Sequence, residues 1–364
     1  MKKFVALALS LAMVMSLTAC GGSAPAPAAA PAAPAESAAP AAEAAAPAEA
    51  APADASGAPA IDWPKGNIEI IVPFKAGGAM DLSARLTATY LKKYLGTEVT
   101  INNVEGGANW VGYMQILGAK GDGYTLGFAN YPGQVGGYLN PSNNIDVTYE
   151  SFTNIADIVH DAGIIVVKED SPYQTLADLL EAAKTEKLIV STGGGAGSDD
   201  DVLVRKINLA LGTQLVPGGN ENDAEAKNAL LGGEADAQAC NVSNYCKTYT
   251  STGQTDSVRV LAVFDAEKQA LMPDIPTIDE AGIDELKGMY SSSDRGLVAC
   301  KDLDPEVLAK IVWALEQTQN DPEFIAEATE MGMGINMLFG DDFNAYIKGV
   351  EDTLKSMLAD FGWQ

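Results

Sequence analysis

The sequence predicts an α/β protein in which a mostly parallel sheet carries helices on both faces and the chain divides into two lobes. Short β-branched runs alternate with longer stretches of helical periodicity from Ile68 onward. Two of those runs pass through a glycine turn straight into a helix, as parallel strands require. The body, about 300 residues long, also exceeds one usual hydrophobic core.

Residues 1–19 read as a lipoprotein signal peptide. Met1-Lys2-Lys3 is a positive n-region, Phe4 to Leu17 a short apolar core, and Leu17-Thr18-Ala19-Cys20 a cleavage site. That tetrapeptide resembles the bacterial lipobox, which makes Cys20 the lipidated first residue of the mature chain. The alternative is an ordinary signal peptide with an incidental cysteine. The apolar run falls short of the ~20 residues a membrane span needs. Residues 20–60 are almost wholly Ala, Pro, Gly and Ser, too poor in large apolar groups to form a core. At ~3 Å per residue where it is polyproline-like, this segment reads as a disordered tether.

Ile68 to Val72 is too short for a helix, and Pro73 stops it because proline cannot donate to a sheet ladder. Gly77 and Gly78 permit a tight turn. Leu82, Leu86, Tyr90, Leu91 and Tyr94 then recur at helical spacing up to Gly96, a C′ stop. The first free amides of that helix point into the turn and, with the positive end of the helix dipole, attract an anion. Glu98 to Asn102 predicts a strand, Asn109 to Leu117 a helix and Leu126 to Ala129 a third strand. Asn130 to Gln134 is then a loop at the carboxyl end of that strand. It shares a sheet edge with residues 75–80, the edge where open α/β sheets hold ligands.

Ile155 to Val159 and Ile164 to Val167 are two short apolar runs separated by His160-Asp-Ala-Gly163, read as a crossing between lobes. His160 is expected to be structural or at the surface. In the second lobe Thr175 caps a helix to Ala183, and Leu188 to Ser191 is a strand. Thr192 to Ser198 is a second glycine turn, followed by an amphipathic helix over Val202 to Leu211. Val216 to Asp223 is a strand-end loop, followed by a helix to Leu231. Ala235 to Asn241 and Val258 to Phe264 are strands, and Glu280-Ala-Gly282 ends a short helix. Arg295 to Ala299 is a strand returning to the first lobe. Helices over 305–319, 322–331 and 341–361 close the chain. The lobes are thus 61–160 with 290–364, and 161–289.

With 23 Lys and Arg against 49 Asp and Glu, the chain is strongly acidic. That argues against nucleic acid and anionic lipid, which need a basic face. His160 is the only histidine, which nearly excludes a His-based triad or a multi-His metal site. Cys240 and Cys246 are either bridged or small buried apolar residues. The turn at Gly197-Ser198-Asp199 lacks the lysine of a phosphate loop, its glycine spacing is wrong for a dinucleotide, and no G-x-S-x-G elbow is present. No cofactor or metal is expected. Asp199, Asp200 and Asp201 either complement the helix dipole or place one carboxylate in the cleft; a calcium site is the weaker third reading.

Taken together, several stretches resemble the TctC or Bug family, the periplasmic solute receptors of tripartite tricarboxylate transporters. They are Trp63-Pro64, Pro73 to Asp81 with Ala84-Arg85-Leu86, Asn103 to Ala108, Gly121 to Leu126, Gly197-Ser198, Val216-Pro217, Leu230 to Gly233, Arg259 to Val263, and Met272 to Thr277 with Glu280-Ala-Gly282. They keep the family's order from Trp63 to the C-terminus. The resemblance implies a type II periplasmic-binding-protein-like fold with a cleft between lobes, and a receptor that delivers a small carboxylate to a membrane permease. The matched positions imply a carboxylate held, largely through water, by Phe74, Ala76, Gly77, Gly78 and Asp81, and by Tyr131, Pro132, Gly133 and Gln134. From the second lobe they imply Gly197, Ser198, Asp199, Gly219, Asn220, Asn241, Ser243 and Asn244. Arg295 matches a position where several relatives carry an Arg; it either clamps a second carboxylate or pairs at the hinge beside Asp294. Where many members read Gly-Ser-x-x-His, this chain has Gly197-Ser-Asp-Asp-Asp201, which puts a purely polyanionic solute in doubt. A sensor feeding a signalling partner is the alternative function. An extracytoplasmic enzyme would need a nucleophile–base pair, and the sequence offers none.

Overall fold

The computed structural model describes residues 57–247, 249, 257–335 and 337–363. The expected signal peptide, Cys20 and nearly all of the tether lie outside the described residues.

The chain forms β1 (Ile68–Val72), α1 (Ala79–Leu95), β2 (Val99–Asn103), α2 (Trp110–Leu117), β3 (Thr125–Tyr131) and α3 (Gly133–Leu139). After β4 (Phe152–Lys168) come α4 (Leu176–Ala183), β5 (Leu188–Thr192), α5 (Asp199–Leu211), β6 (Leu215–Gly219), α6 (Asp223–Gly232), β7 (Ala237–Asn241) and β8 (Val258–Val263). The last elements are β9 (Ser292–Cys300), α7 (Pro305–Gln319), α8 (Pro322–Glu330), α9 (Gly340–Ser356) and α10 (Leu358–Phe361). Local chemistry fixes many of these ends. Thr175 and Asp178 form a reciprocal capping box at α4, and Pro305 and Pro322 each open a helix after an aspartate N-cap.

The strands lie in the order β2-β1-β3-β9-β4-β7-β5-β6, with β8 also on β4. The outer strands of each half pair in parallel: β2-β1-β3 in the first, β7-β5-β6 in the second. The centre is antiparallel, because β9 and β4 run against their neighbours. The sheet is therefore mixed rather than parallel throughout.

Several boundaries differ from expectation. Val216 to Gly219, expected as a strand-end loop, belong to β6, paired in parallel with β5. The two apolar runs around His160 are one 17-residue strand, β4. Its first part, to Ala162, pairs with β9; from Gly163 it pairs with β7 and β8. The polar break is tolerated because each of its groups finds a partner across the sheet. Asn130 and Tyr131 end β3, and α3 begins at Gly133, so no free loop separates them. The segment over 280–282 is turn rather than helix; only Asp284–Leu286 forms a helical turn there.

Separate apolar clusters flank the sheet. One packs α1, α7 and α8 on β1, β3 and β4, with Ile70, Leu91, Phe128, Ile311 and Phe324 fully buried. Another packs α4 and α5 on the second half through Leu179, Val190, Leu203 and Phe264. A third joins α2, α3 and α9 around Trp110, Tyr131 and Phe343, and takes in Val202 from α5. Among the described residues no helix is long and apolar enough to cross a membrane.

Candidate functional site

Two helix starts define the site, and they share one construction. In the first half Gly77 has φ +84° and Gly78 is the extended N-cap of α1. The Gly77 N–H donates to Asp81 Oδ2 at 2.8 Å, and Arg85, one turn on, pairs with that carboxylate. In the second half Gly197 also has φ +84°, and Ser198 is the N-cap of α5. The Gly197 N–H donates to Asp201 Oδ2 at 2.9 Å, and Arg205 pairs with Asp201. In each turn the aspartate at the third helical position takes up the glycine amide. In the second the Ser198 amide also donates to the Gly195 carbonyl and the Asp201 amide to the Ser198 hydroxyl, so fewer amides are left there than in the first. Asp81 and Asp201 thus brace their turns from within.

The surroundings differ. Ala76, Gly77 and Gly78 are exposed, Phe74 is half-buried, and its carbonyl accepts from Asn103. Beside the second turn stand Asp199, Asp200 and Asp223, with Asp161 from β4. Asp199 accepts from Asn241 at 2.9 Å, and Asp223 accepts from Asn244 at 3.1 Å. Asp200 accepts from the Gly193 amide, while Asp161 takes the Ser243 amide and hydroxyl. Burial pushes the Asp199 carboxyl up to about 7; the Asn241 bond opposes this and the Asp223 charge adds to it. Burial likewise raises Asp200, reinforced by Asp199 and Asp223, and raises Asp223. At Asp81 burial also raises the pKa, but the Arg85 and Gly77 hydrogen bonds outweigh it and hold the carboxyl below its usual range.

Arg295 is the cation between these regions. It is 2% exposed and bonds Asp161 at 2.6 Å, Ser83 of α1 at 3.0 Å and Ser293. Its Nε is buried with no partner among the described residues. Two expectations for Arg295 change. It lies within β9 and faces away from Asp294, since successive strand residues point to opposite faces. Its Nη2 already bonds Asp161, so a carboxylate ligand at Arg295 would share the guanidinium with that partner. Asp294 instead bonds His160 Nδ1 at 2.8 Å, Ser292 and the Tyr346 hydroxyl, while His160 Nε2 lies 3.3 Å from Asp265. Burial lowers the His160 pKa, but the bonds to Asp265 and Asp294 prevail and push it up to about 10.

The stretch after β3 also departs from expectation. Tyr131 is fully buried, edge-on to Phe343, so its ring belongs to the core. Pro132 has no N–H to offer. Gly133 lies close to the Asn130 side chain, which bonds Ser293. Gln134 is 1% exposed with both side-chain amide atoms unpartnered among the described residues. In the second half the Asn220 side chain is occupied by the Thr192 and Gly218 carbonyls, with Gly219 exposed beside it.

Asp161, Asp223, Ser83 and Ser293 were not expected here. Asp161 carried one signal, a carboxylate beside His160 in the polar break between the two apolar runs of β4. Cys240 and Cys246 are both free and buried. Among the described residues no group of three or more His, Cys, Asp or Glu is placed to hold a metal ion. A surface depression of about 620 Å³ lies elsewhere, lined by Trp63, Lys120, Tyr124 and Asp302.

A family model described as "Tripartite tricarboxylate transporter family receptor" matches residues 83–362. The chain belongs to that receptor family. Its relatives include the UPF0065 protein of the TAR-I ttuE-ttuC′ intergenic region of Agrobacterium vitis, 29% identical over 271 residues, covering 74% of this chain and 76% of that protein. Among solved structures, the periplasmic binding protein BugD is 26% identical, with a TM-score of 0.68 over 83% of this receptor and 99% of BugD. An R. palustris protein solved with adipate gives a TM-score of 0.71 at 21% identity, over 83% and 99% of the two chains, and shows the shared fold.

Proposed function

We propose that this receptor captures a small carboxylate-bearing solute outside the cytoplasm and delivers it to the membrane permease of a tripartite tricarboxylate-type transporter. In this reading Cys20 carries the lipid anchor, residues 20–60 are the tether, and the body closes as two lobes, 61–160 with 290–364 and 161–289. The observation that carries it is the paired turn. Exposed Gly77 and Gly78 open a 17-residue helix, so bare amides and the helix dipole face an anion. Water bridges from such amides add little penalty.

The second half limits what the rest of the solute is. Four carboxylates, Asp161, Asp199, Asp200 and Asp223, stand near one guanidinium, Arg295. A second carboxylate at that end would meet like charge unless the burial-raised carboxyls of Asp199, Asp200 and Asp223 kept their protons, whereas an amine or a hydroxyl would find acceptors in either state. Calorimetric titration of the full chain with citrate, adipate and α-amino acids tests this. Binding of an amino or hydroxy acid, without turnover and weakened by Asp199→Ala, is the expected result. Tight citrate binding unaffected by Asp199→Ala and Asp200→Ala would overturn the limit. No binding of any acid would overturn the receptor reading.

A further inference from the structure

The C-terminal tail reaches the second turn, and among the described residues nothing comparable reaches Gly77 of the first. After α10 the chain turns at Gly362, and Trp363 folds back, 8% exposed, stacked on Phe361 with ring centroids 4.5 Å apart. Phe361 lies under the Arg205 guanidinium, 4.9 Å from its ring centroid, and Arg205 Nη1 donates to the Asp360 carbonyl. Trp363 abuts Gly197 so closely that a Cβ there would come within 2.6 Å of Trp363 Cη2. The same Cβ would come within 3.2 Å of Gly136 of α3. The tail itself hangs from α9, whose Phe343, Ile347 and Leu354 are buried in the cluster around Tyr131 and Val298 of the first half. Arg85, the counterpart of Arg205, has a half-exposed side chain and among the described residues bonds Asp81 and Asn103.

We propose that Asp360–Trp363 is a latch, with Arg205 and Trp363 as positioning residues that hold the Gly197–Ser198 turn against α3. The relay is short. The tail fixes Arg205, Arg205 fixes Asp201, and Asp201 holds the Gly197 amide, so the direction of the adjoining free amides depends on the tail. This rests on the reading that the second turn takes part in solute capture. If the halves separate, the Trp363–Gly197 and Arg205–Phe361 contacts must break, since they join α9's side to α5. The latch therefore favours the joined arrangement and slows escape of whatever lies between.

Hydrogen exchange on the full chain tests the latch without a ligand. Trp363→Ala is expected to speed exchange of the Gly197 amide about tenfold through local opening, while the Gly77 amide, held by the same kind of carboxylate, is unchanged. Trp363→Phe should retain most of the protection. Equal acceleration at both glycines would mean simple loss of global stability, and no change at Gly197 would mean no latch; either overturns the proposal. Titration with adipate, malate and glutamate supplies the second arm. If one binds, Trp363→Ala should weaken it about tenfold, mainly through faster dissociation; an unchanged affinity despite faster exchange overturns the role in retention. If none binds the unaltered chain, the receptor reading fails while the exchange result still decides the latch.

Discussion

The turns at Gly77 and Gly197 are the same object in two electrostatic settings. Each has a glycine at φ +84°, an extended N-cap, an aspartate that takes the glycine amide and an arginine one turn later. Around the first stand Ala79 and Met80; around the second, Asp199 and Asp200 at the equivalent positions. The backbone construction is repeated, but the Ser198 and Asp201 amides are already bonded within the second turn, and the side chains around the two turns differ in charge. Geometry is repeated, and charge is what distinguishes the halves.

The largest expected effect tests the charged half against the neutral one. Arg295→Ala leaves Asp161, fully buried, without its cation, and should destabilise by about 3–5 kcal/mol, the usual cost of stranding a buried charge. Arg85→Ala removes an arginine whose side chain is 51% exposed, so water can replace it at Asp81. Asp81 is itself only 3% exposed but still bonded by the Gly77 amide, and the cost should be about 1 kcal/mol. Urea midpoints at constant m-value measure both. Similar losses would mean that Asp161 is not stranded when Arg295 is removed.

The glycines come next. Gly77→Ala meets nothing within 4 Å, so its penalty is the left-handed backbone alone, about 1–2 kcal/mol. Gly197→Ala carries the same backbone penalty and also drives a methyl into Trp363 and Gly136, adding about 1–3 kcal/mol of overpacking. Repeating Gly197→Ala in a Trp363→Ala background should recover part of the difference, because one of the two clashing neighbours is gone. If the two glycine variants melt alike, the tail yields freely at Gly197.

How much of this was legible in the sequence follows from the range of the interactions. The β1–glycine–α1 unit, the Thr175 cap and the proline starts of α7 and α8 depend on neighbours within a few positions, so composition and spacing revealed them. Continuity of β4 depends on partners far along the chain. His160 is opposite Asp294, and Asp161 is diagonal to Arg295 on the other face, so a polar break in the sequence is a satisfied stretch in the sheet. The same alternation made Asp294 a decoy for Arg295: adjacent in sequence, it points the other way. The tail was readable only as helix, since its contact with Gly197 depends on tertiary folding.

Acidity should act on the two turns in opposite directions. The Asp81 carboxyl is held below its unfolded value, so its contribution is present at neutral pH and is lost as pH falls through its folded pKa. Asp199 is raised to about 7 against an unfolded value of about 3.9, so the folded chain holds a proton that the unfolded chain releases. Its contribution is complete below pH ~4 and disappears as pH climbs toward 7. His160 runs the same way in a higher window, fully stabilising below its unfolded value of about 6.5 and losing that as pH approaches 10. The melting temperature of the full chain should therefore fall between pH 5 and 8, by about 2–4 °C for each kcal/mol lost. Asp199→Asn should flatten that slope and leave the acid limb, set by Asp81, in place. A slope unchanged by Asp199→Asn would remove Asp199 as its source.

The smallest effect concerns the caps. Ser198 accepts from the Asp201 amide through its hydroxyl, whereas Gly78 has no side chain to do so for Asp81. Gly78 has φ −80°, and a Cβ there would meet only the Lys75 carbonyl at 3.7 Å, so Gly78→Ser fits without strain. The new hydroxyl should stabilise by a few tenths of a kcal/mol, and Ser198→Gly should lose a similar amount. The functional reading predicts something the stability does not. A hydroxyl over the first turn competes with a solute carboxylate for the same amides, so Gly78→Ser should raise the urea midpoint slightly while weakening acid binding. A variant more stable and equally able to bind would show that the solute does not use the amides of the first turn.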